Sequence, residues 1–218
     1  MIDWGDGTPT STITTYNDAD LAHEYAAIGD HTISITGTFP NIYINNGPEK
    51  LKIKRVLNLG TVGWTKLNQA FFGCSNLTEF TSGSTDTSNV STMYLMLRLC
   101  SSLSTANVST LDTSGTNDLR QMFRDCGSLT SIDVSNFDIS GPTDVSYMFF
   151  GCSGLTSIVG VEDWDITGLN STSSLTAFIT SGKMTTAQYD NLLVKWEAQS
   201  EFPGMSPSFG ASTYTGGG

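Results

Sequence analysis

The chain has 218 residues and carries 10 Lys and Arg against 21 Asp and Glu, which gives a formal net charge of -11. A surface of this sign repels phosphate backbones and anionic lipid heads, so no nucleic acid partner is expected. No apolar run approaches the roughly 18 residues that span a bilayer, so membrane insertion is not expected either.

The first segment, residues 1–47, contains two short motifs. IDWGDGTPTST begins at Ile2, and LAHEYAAIGDHTISITG follows it and includes both histidines, His23 and His31. Together they resemble the second part of a PKD-like (Ig-like) β-sandwich, which implies a short β module with the histidines in structural or surface positions. Strands that precede Trp4 in that family are absent here, so either the module is abbreviated or the chain is trimmed. We expect truncation at both ends.

Asp3 and Asp6 flank the Trp4–Gly5 dipeptide of this motif. Calcium takes hard oxygen ligands on turns, so the pair could contribute to a calcium site. Two carboxylates are too few to specify one. The favoured interpretation is a turn in which the aspartates accept hydrogen bonds from their own backbone.

The segment EKLKIKRVL, at residues 49–57, alternates Lys50, Lys52 and Lys54 with apolar residues. The alternation predicts a first strand with a row of charge facing outward, where lysines discourage pairing with a second molecule. A binding patch for an anionic glycan, formed by these lysines and Arg55, remains an open alternative.

The cysteines of the chain follow one another at a constant 26-residue spacing. A fixed period of this order is typical of stacked copies of one supersecondary unit. In each unit, apolar residues recur at i, i+3, i+4 and i+7, the last being the cysteine, which predicts one face of a short helix. Leu129, Ile132 and Val134 then have the spacing of a strand with one buried face. The four equally spaced cysteines are Cys74, Cys100, Cys126 and Cys152.

The pieces MFFGCSGLTSI, SIDVSNFDIS and SNVSTM resemble the BspA-like leucine-rich repeat family of bacterial, protist and phage surface proteins, over about residues 51–175. The resemblance implies adhesion or host recognition at a bacterial cell surface or virion surface. The partner would be a host or cell-surface protein or a glycan, with neighbouring subunits of a larger assembly as a further option. The second of the four 26-residue repeats departs from the family pattern at Leu97, where Phe is usual. This difference leaves the turn geometry of that repeat open.

The cysteines suggest three kinds of chemistry. A zinc site needs clustered pairs such as C-x-x-C, whereas these cysteines occur once per unit, so no metal is predicted. Stacking could bring successive cysteines within disulfide distance. A reduced ladder is favoured, because a cysteine on a buried face behaves as a small hydrophobic residue. No cofactor is predicted.

The C-terminal segment, residues 183–218, begins with an amphipathic pattern from Met184 to Trp196 that has a threonine cap. We expect a helix that covers the end of the repeats, since an uncovered end exposes apolar residues. The tail from Pro203 is rich in Gly, Ser and Pro, which predicts irregular structure.

The predicted fold class is therefore an α/β repeat, a leucine-rich-repeat solenoid of 26-residue coils over residues 48–182. The short PKD-like β-sandwich module precedes it, and the capping helix follows it.

Catalysis is not expected. The chain has two histidines and no G-x-S-x-G turn that would present a nucleophilic serine, so no enzyme is predicted. Binding is assigned to the outward residues of the predicted strands, and a host protein or polar glycan is the expected ligand. A structural spacer or assembly module within a larger surface or tail-fibre protein is the alternative. The candidate binding residues are Glu79, Thr81, Thr105, Asn107, Ser131, Asp133, Ser135 and Ser157.

Overall fold

The computed structural model describes residues 1–15, 18–141, 143–169, 175–199, 213 and 215. The chain divides into two compact units, Met1–Phe39 and Pro40–Gly218. The strands are β1 (Ile2–Asp3), β2 (Ser34–Ile35), β3 (Arg55–Val56), β4 (Glu79–Thr81), β5 (Thr105–Asn107), β6 (Ser131–Asp133) and β7 (Ser157–Val159). The helix α1 spans Thr186–Glu197, and short 3-10 helices span Ala19–Leu21, Pro48–Lys52 and Val161–Asp163.

The first unit is built on an antiparallel pair of strands. β1 pairs with β2 so that Ile2 lies opposite Ile35, and Ile2 also forms a bridge with Ser11. The alternation along β1 places Ile2 and Trp4 in the interior. This unit therefore has a small core of its own that includes Ile2 and Trp4.

The repeated segments are chains of turns, so the predicted short helix in each unit is wrong. Gln69, Leu95, Gln121 and Tyr147 occupy the same position in successive units, and all four have φ between 56° and 58°. A residue with positive φ cannot continue a right-handed helix. The amides of these residues donate to the next unit instead, for example from Gln69 to the Tyr94 oxygen at 2.8 Å.

Parallel pairing joins strands one repeat apart. Glu79 lies opposite Thr105 in β4 and β5, and Ser131 lies opposite Ser157 in β6 and β7. The pairs form separate sheets, β3-β4-β5 and β6-β7, and no ladder joins β5 to β6 in the described residues.

The fold-class prediction is corrected by these observations. The described chain has small parallel and antiparallel sheets and one α-helix, not a leucine-rich-repeat solenoid of helix and strand coils. The physical reason is that backbone amides at the repeated positions donate hydrogen bonds to the next repeat. The repeated segments are therefore turns and do not form a layer of helices.

The core of the second unit consists of the apolar positions that repeat along the sequence. All four cysteines are buried and unpaired, as the favoured ladder of reduced thiols predicts. The Cys126 thiol donates to the Leu97 oxygen at 3.1 Å, and the Cys152 thiol donates to the Phe123 oxygen at 3.0 Å. Phe123 and Phe149 stack with ring centroids 5.5 Å apart. Aromatic and sulfur side chains together fill the interior between successive units.

The prediction for the segment before the repeats is wrong, and the prediction of a helix after them is confirmed. The lysine-rich segment forms the 3-10 helix Pro48–Lys52, and only Arg55–Val56 is a strand, so the alternating first strand is wrong. Pro48 starts that helix because its fixed φ suits a first helical position. Helix α1 lies where the amphipathic pattern predicted a helix, with the Thr185 hydroxyl accepting from the Gln188 amide. The predicted irregular tail lies outside the described residues, apart from residues 213 and 215.

Within the described segments, no helix combines the length and the apolar character that crossing a membrane requires.

Candidate functional site

An open groove of about 470 Å³ lies on the outward side of β4, β5 and β6. It contains six of the eight residues that the sequence analysis assigned to binding, and the other two lie outside its lining. The six are Glu79, Thr81, Thr105, Asn107, Ser131 and Asp133.

Strand alternation explains why these side chains face outward together. Phe80 and Ile132, the middle residues of β4 and β6, are 0% and 3% exposed and point into the core. Their neighbours along each strand must then point to the opposite face. The register between β4 and β5 aligns Glu79 with Thr105, so equivalent side chains form adjacent columns.

The break between β5 and β6 lies inside the groove. Strands on both sides of it line the groove, but no strand ladder connects them within the described chain. Beyond the strands, Asn136 joins two successive repeats, because its side-chain amide donates to the Val108 oxygen at 3.1 Å and to the Leu111 oxygen at 2.8 Å. The edges of β5 and β6 thus lie side by side in the groove, with no strand ladder between them in the described chain.

Two side chains at the groove are fixed by turns at the strand ends. Asp133 Oδ1 accepts from the Ser135 amide at 3.0 Å and from its hydroxyl at 2.6 Å. Asn107 Oδ1 accepts the same two bonds from Ser109 at 3.1 and 2.8 Å. The Ser135 side-chain and backbone hydrogen bonds lower the pKa of Asp133 from its usual value of 3.8. Asp133 therefore presents an ionised, oriented carboxylate at neutral pH.

The two remaining predicted residues have other roles. Ser135 holds Asp133 through the bonds just described. The Ser157 hydroxyl accepts a hydrogen bond from the Gln188 side chain of α1 at 2.9 Å, so the helix engages this position.

Sequence reasoning missed the residues that precede the strands. Ser104 and Thr130 also line the groove, and Ala106 forms part of its floor. Ser104 Oγ donates to the Thr78 oxygen, and Thr156 Oγ1 donates to the Thr130 oxygen, both at 3.1 Å. The recurrence of a hydroxyl residue at this position, with the same 26-residue period, was the signal that could have found them.

The side chains of the groove lining are rich in groups that accept hydrogen bonds. Its described lining carries two carboxylates, Glu79 and Asp133, together with hydroxyl and amide groups, and it includes no basic residue. Such a surface suits ligands that present hydroxyl, amide or ammonium donors. The same described lining contains no histidine, cysteine or lysine.

The first unit contains a compact aromatic cluster. Trp4 stacks on His23 at 4.9 Å, and Tyr25 stacks on His31 at 4.1 Å. His23 Nε2 lies 2.7 Å from Asp6 Oδ2. The Thr8 side-chain hydrogen bond and then the His23 contact hold the pKa of Asp6 well below its usual range. The cluster joins the turn at Trp4 to the segment from His23 to His31.

The turn carboxylates are occupied by local hydrogen bonds. Asp3 Oδ1 accepts from the Gly5 amide at 2.9 Å, and Asp6 Oδ1 accepts from the Thr8 amide at 3.1 Å. Across the described residues, no group of three or more His, Cys, Asp or Glu side chains is arranged to hold a metal ion. The self-bonded turn is the arrangement that these distances show.

Comparison with known protein families gives a match over the repeated region. The family described as "Mycoplasma protein of unknown function, DUF285" matches residues 65–192, which is more than half of the chain. A search of curated proteins and a search of solved structures each gave no match. The family match loosely fits the resemblance to BspA-like surface repeat proteins. The matched region includes the groove and the repeated turns. Because the match covers more than half of its length, this chain belongs to the DUF285 family.

Proposed function

We propose that residues 40–218 form a non-enzymatic recognition module of a surface-exposed protein, at a bacterial surface or on a phage virion or tail. The groove on β4, β5 and β6 binds a host protein or a polar glycan. The observation that carries this proposal is the convergence of two carboxylates and several hydroxyl and amide side chains in one open groove.

The chemistry of the lining supports a polar ligand. Thr81, Thr105 and Ser131 offer hydroxyl groups that donate and accept, while Glu79 and Asp133 accept only. The missing ladder between β5 and β6 adds backbone groups that are free of strand pairing in the described chain. A ligand rich in hydroxyl or amide groups would satisfy both kinds of partner.

The first unit is proposed to be a PKD-like β module that accompanies the recognition module. Its support is the antiparallel pairing of β1 with β2 and the packing of Trp4, His23 and Tyr25. No cofactor is proposed for either unit.

Binding of the labelled full chain to a panel of immobilised extracellular proteins and neutral glycans tests the proposal. The double variant Ser131→Ala/Asp133→Asn removes groove polar groups with little change in volume and should weaken binding by about tenfold or more. The control Asp138→Asn changes an equivalent exposed aspartate that accepts from Ser140 outside the groove. Equal loss in the two variants, or no binding to any member of the panel, would contradict the proposal.

A structural spacer is the second candidate function. It is favoured by the repeated backbone hydrogen bonds between units, which run from Gln69–Tyr94 through Leu95–Arg120 and Gln121–Ser146 to Tyr147–Thr176. Such a series resists bending, because each step adds a hydrogen bond between adjacent backbones. The groove variants distinguish the two functions, since a spacer tolerates them without loss.

A further inference from the structure

A row of arginine and aromatic side chains follows the turn segments of the second unit. Phe72, Arg98, Arg124 and Phe150 occupy the same position in four successive units of the 26-residue repeat. We call these four residues the arginine row. It shares no residue with the lining of the groove on β4, β5 and β6.

Aromatic rings hold both guanidinium groups of the arginine row in place. The Arg98 guanidinium carbon lies 5.3 Å from the centre of the Phe72 ring, and that of Arg124 lies 4.6 Å from the centre of the Phe150 ring. Both arginine side chains are 26% exposed. Stacking on a ring orients the planar fork and lowers the entropy lost when it binds an anion.

The hydrogen-bonding capacity of the two arginines is incompletely used. The Nε atoms of Arg98 and Arg124 are buried and have no hydrogen-bond partner among the residues that the structure describes. Asp125 Oδ2 lies 4.0 Å from Arg98 Nε and 3.3 Å from Arg124 Nε, as an ion pair without hydrogen-bond alignment. In the described chain, one carboxylate, that of Asp125, therefore pairs with both arginines. The exposed 26% of each arginine side chain therefore lies on atoms other than Nε.

A neighbouring arginine shows the contrasting arrangement. Arg120 donates two hydrogen bonds to Asp118, from Nε at 2.8 Å and from Nη2 at 2.7 Å. Its charge is matched by a dedicated carboxylate, so it has no need of a further anion. Among these three arginines, the surplus positive charge therefore belongs to Arg98 and Arg124, within a chain whose net charge is -11.

The two arginines lie close enough to approach one ligand, since both contact Asp125. The Leu99 amide donates to the Arg124 oxygen at 2.9 Å, so the two backbones are direct neighbours, about 5 Å apart. The charge of Asp125 and of the whole chain opposes a dense polyanion.

Neutral hydrogen-bonding groups flank the arginines. Gln121 accepts from Arg124 Nη1 at 3.2 Å, which leaves its amide nitrogen available as a donor. Tyr147 is half-buried beside Arg124, with its ring centre 5.6 Å from the guanidinium carbon. Hydroxyl groups next to a carboxylate would find partners in both side chains.

We propose that the arginine row binds the carboxylate of an acidic sugar, with Arg98 and Arg124 as the charged partners and Gln121 and Tyr147 as partners of the sugar hydroxyls. This site is separate from the proposed groove function, and neither proposal depends on the other. It gives the acidic chain a localised place for an anionic ligand.

The test uses the full chain labelled with ¹⁵N, and the side-chain Nε–H signals of Arg98 and Arg124 are followed by NMR. Glucuronate is the probe, and glucose is its neutral counterpart. We expect both arginine signals to shift and to saturate at millimolar glucuronate, as for a single small ligand, with no shift for glucose. Equal shifts with glucose, or no shift with glucuronate, would overturn the proposal.

Variants of opposite sign sharpen the test. Arg98→Gln and Arg124→Gln should each weaken glucuronate binding by about tenfold, and Asp125→Asn should strengthen it severalfold because a like charge is removed. Arg120→Gln is the matched control and should leave the affinity unchanged within about twofold. Protection of the four thiols from alkylation shows that each variant is folded. Loss of binding in Arg120→Gln equal to that in Arg124→Gln would contradict the assignment.

Two further probes identify other ligands. A hexaglutamate peptide that binds at these signals more tightly than glucuronate would assign the row to acidic protein segments and overturn the sugar assignment. Inorganic phosphate or acetate that binds as tightly as glucuronate would show a bare anion site and overturn it as well. Asp133→Asn, in the groove, should not change glucuronate binding, so the outcome is independent of the groove proposal.

Discussion

Each thiol hydrogen bond links a cysteine to a carbonyl oxygen of the preceding unit. Cys100, Cys126 and Cys152 all donate in this way, at 3.0 to 3.2 Å. Burial raises the pKa of the Cys152 thiol to about 12, which removes the thiolate that reacts with oxidants and metals. At the residue scale, the repeated cysteine is thus a packing group that also satisfies a backbone oxygen.

The thiols should be protected from alkylation in the folded protein. We expect no reaction with iodoacetamide under native conditions and four modified sites after unfolding in urea, because burial disfavours the reactive thiolate. Mass spectrometry counts the modified sites. Fast labelling of any thiol in the folded protein would contradict the buried ladder, and four sites that stay blocked until a reductant is added would indicate disulfides.

Gly160 lies where one repeat closely approaches the backbone of the preceding repeat. Its φ is 84°, and a Cβ there would lie 2.4 Å from Ser135 Cα. Gly160→Ala should lower the free energy of unfolding by about 1–3 kcal/mol, because both the left-handed backbone and the clash with a backbone atom oppose it. Urea unfolding measures this change.

Gly127→Ala is the control for Gly160→Ala. A Cβ at Gly127 would lie 3.5 Å from Ser153 Oγ, an ordinary contact, and the φ of Gly127 is outside the left-handed region. We expect the free energy of unfolding to stay unchanged or to rise by about 0.5 kcal/mol, since alanine restricts the unfolded chain. Equal destabilisation by the two changes would refute the role assigned to Gly160.

Helix α1 is the one long regular element of the described chain, and it packs against the 3-10 helix Val161–Asp163. Trp196 is 2% exposed and donates from Nε1 to the Val161 oxygen at 3.1 Å. Lys195 bonds to Asp163 on the outer side of the same contact. At the element scale, α1 is held by its tertiary contact, because a helix of 12 residues is marginal by itself in water.

Removing the anchor of α1 should destabilise the second unit. Trp196→Ala deletes a buried ring and should lower the free energy of unfolding by about 3–5 kcal/mol. Val194→Ala changes a residue of the same helix that is 67% exposed, and the effect should stay within about 0.5 kcal/mol. Thermal unfolding followed by circular dichroism measures both. Similar effects of the two variants would show that α1 does not depend on the Trp196 contact.

Repeated aspartates accept hydrogen bonds from a serine or threonine two residues later, and they contribute to the charge of the whole molecule. The hydrogen bonds from Ser88, Ser135, Ser140 and Thr167 lower the pKa values of Asp86, Asp133, Asp138 and Asp165 from 3.8. At the scale of the molecule, protonation of these carboxylates changes both the net charge and the free energy of unfolding.

Acidification should therefore destabilise the protein. Since the folded pKa values are lower than the unfolded ones, the stabilisation is complete well above the usual pKa of 3.8 and is lost as the pH falls through the lowered folded values. Urea unfolding from pH 7 to pH 3 should show a decrease in stability below about pH 4. Ser135→Ala and Asp133→Asn should each make this decrease shallower. A stability that rises on acidification would contradict the sign.

The apolar pattern of the sequence predicted the buried positions of the repeats and the outward side of their strands. The apolar pattern at i, i+3, i+4 and i+7 placed the cysteines in the core. The alternation around Ile132, carried to the equivalent positions of the other repeats, identified most of the groove lining. Burial follows the apolar pattern directly, because water excludes the same residues whatever backbone carries them.

The tertiary structure decided where the backbone amides bond. The i, i+3, i+4, i+7 pattern fits a helix and also fits turns that present the same apolar face, so Leu67, Ala70 and Phe71 did not distinguish them. The Gln69 amide bonds to the next unit with a positive φ, which excludes the helix, and the break between β5 and β6 leaves no trace in the repeat. Both depend on contacts between successive units, a full repeat apart along the chain, which local sequence patterns do not encode.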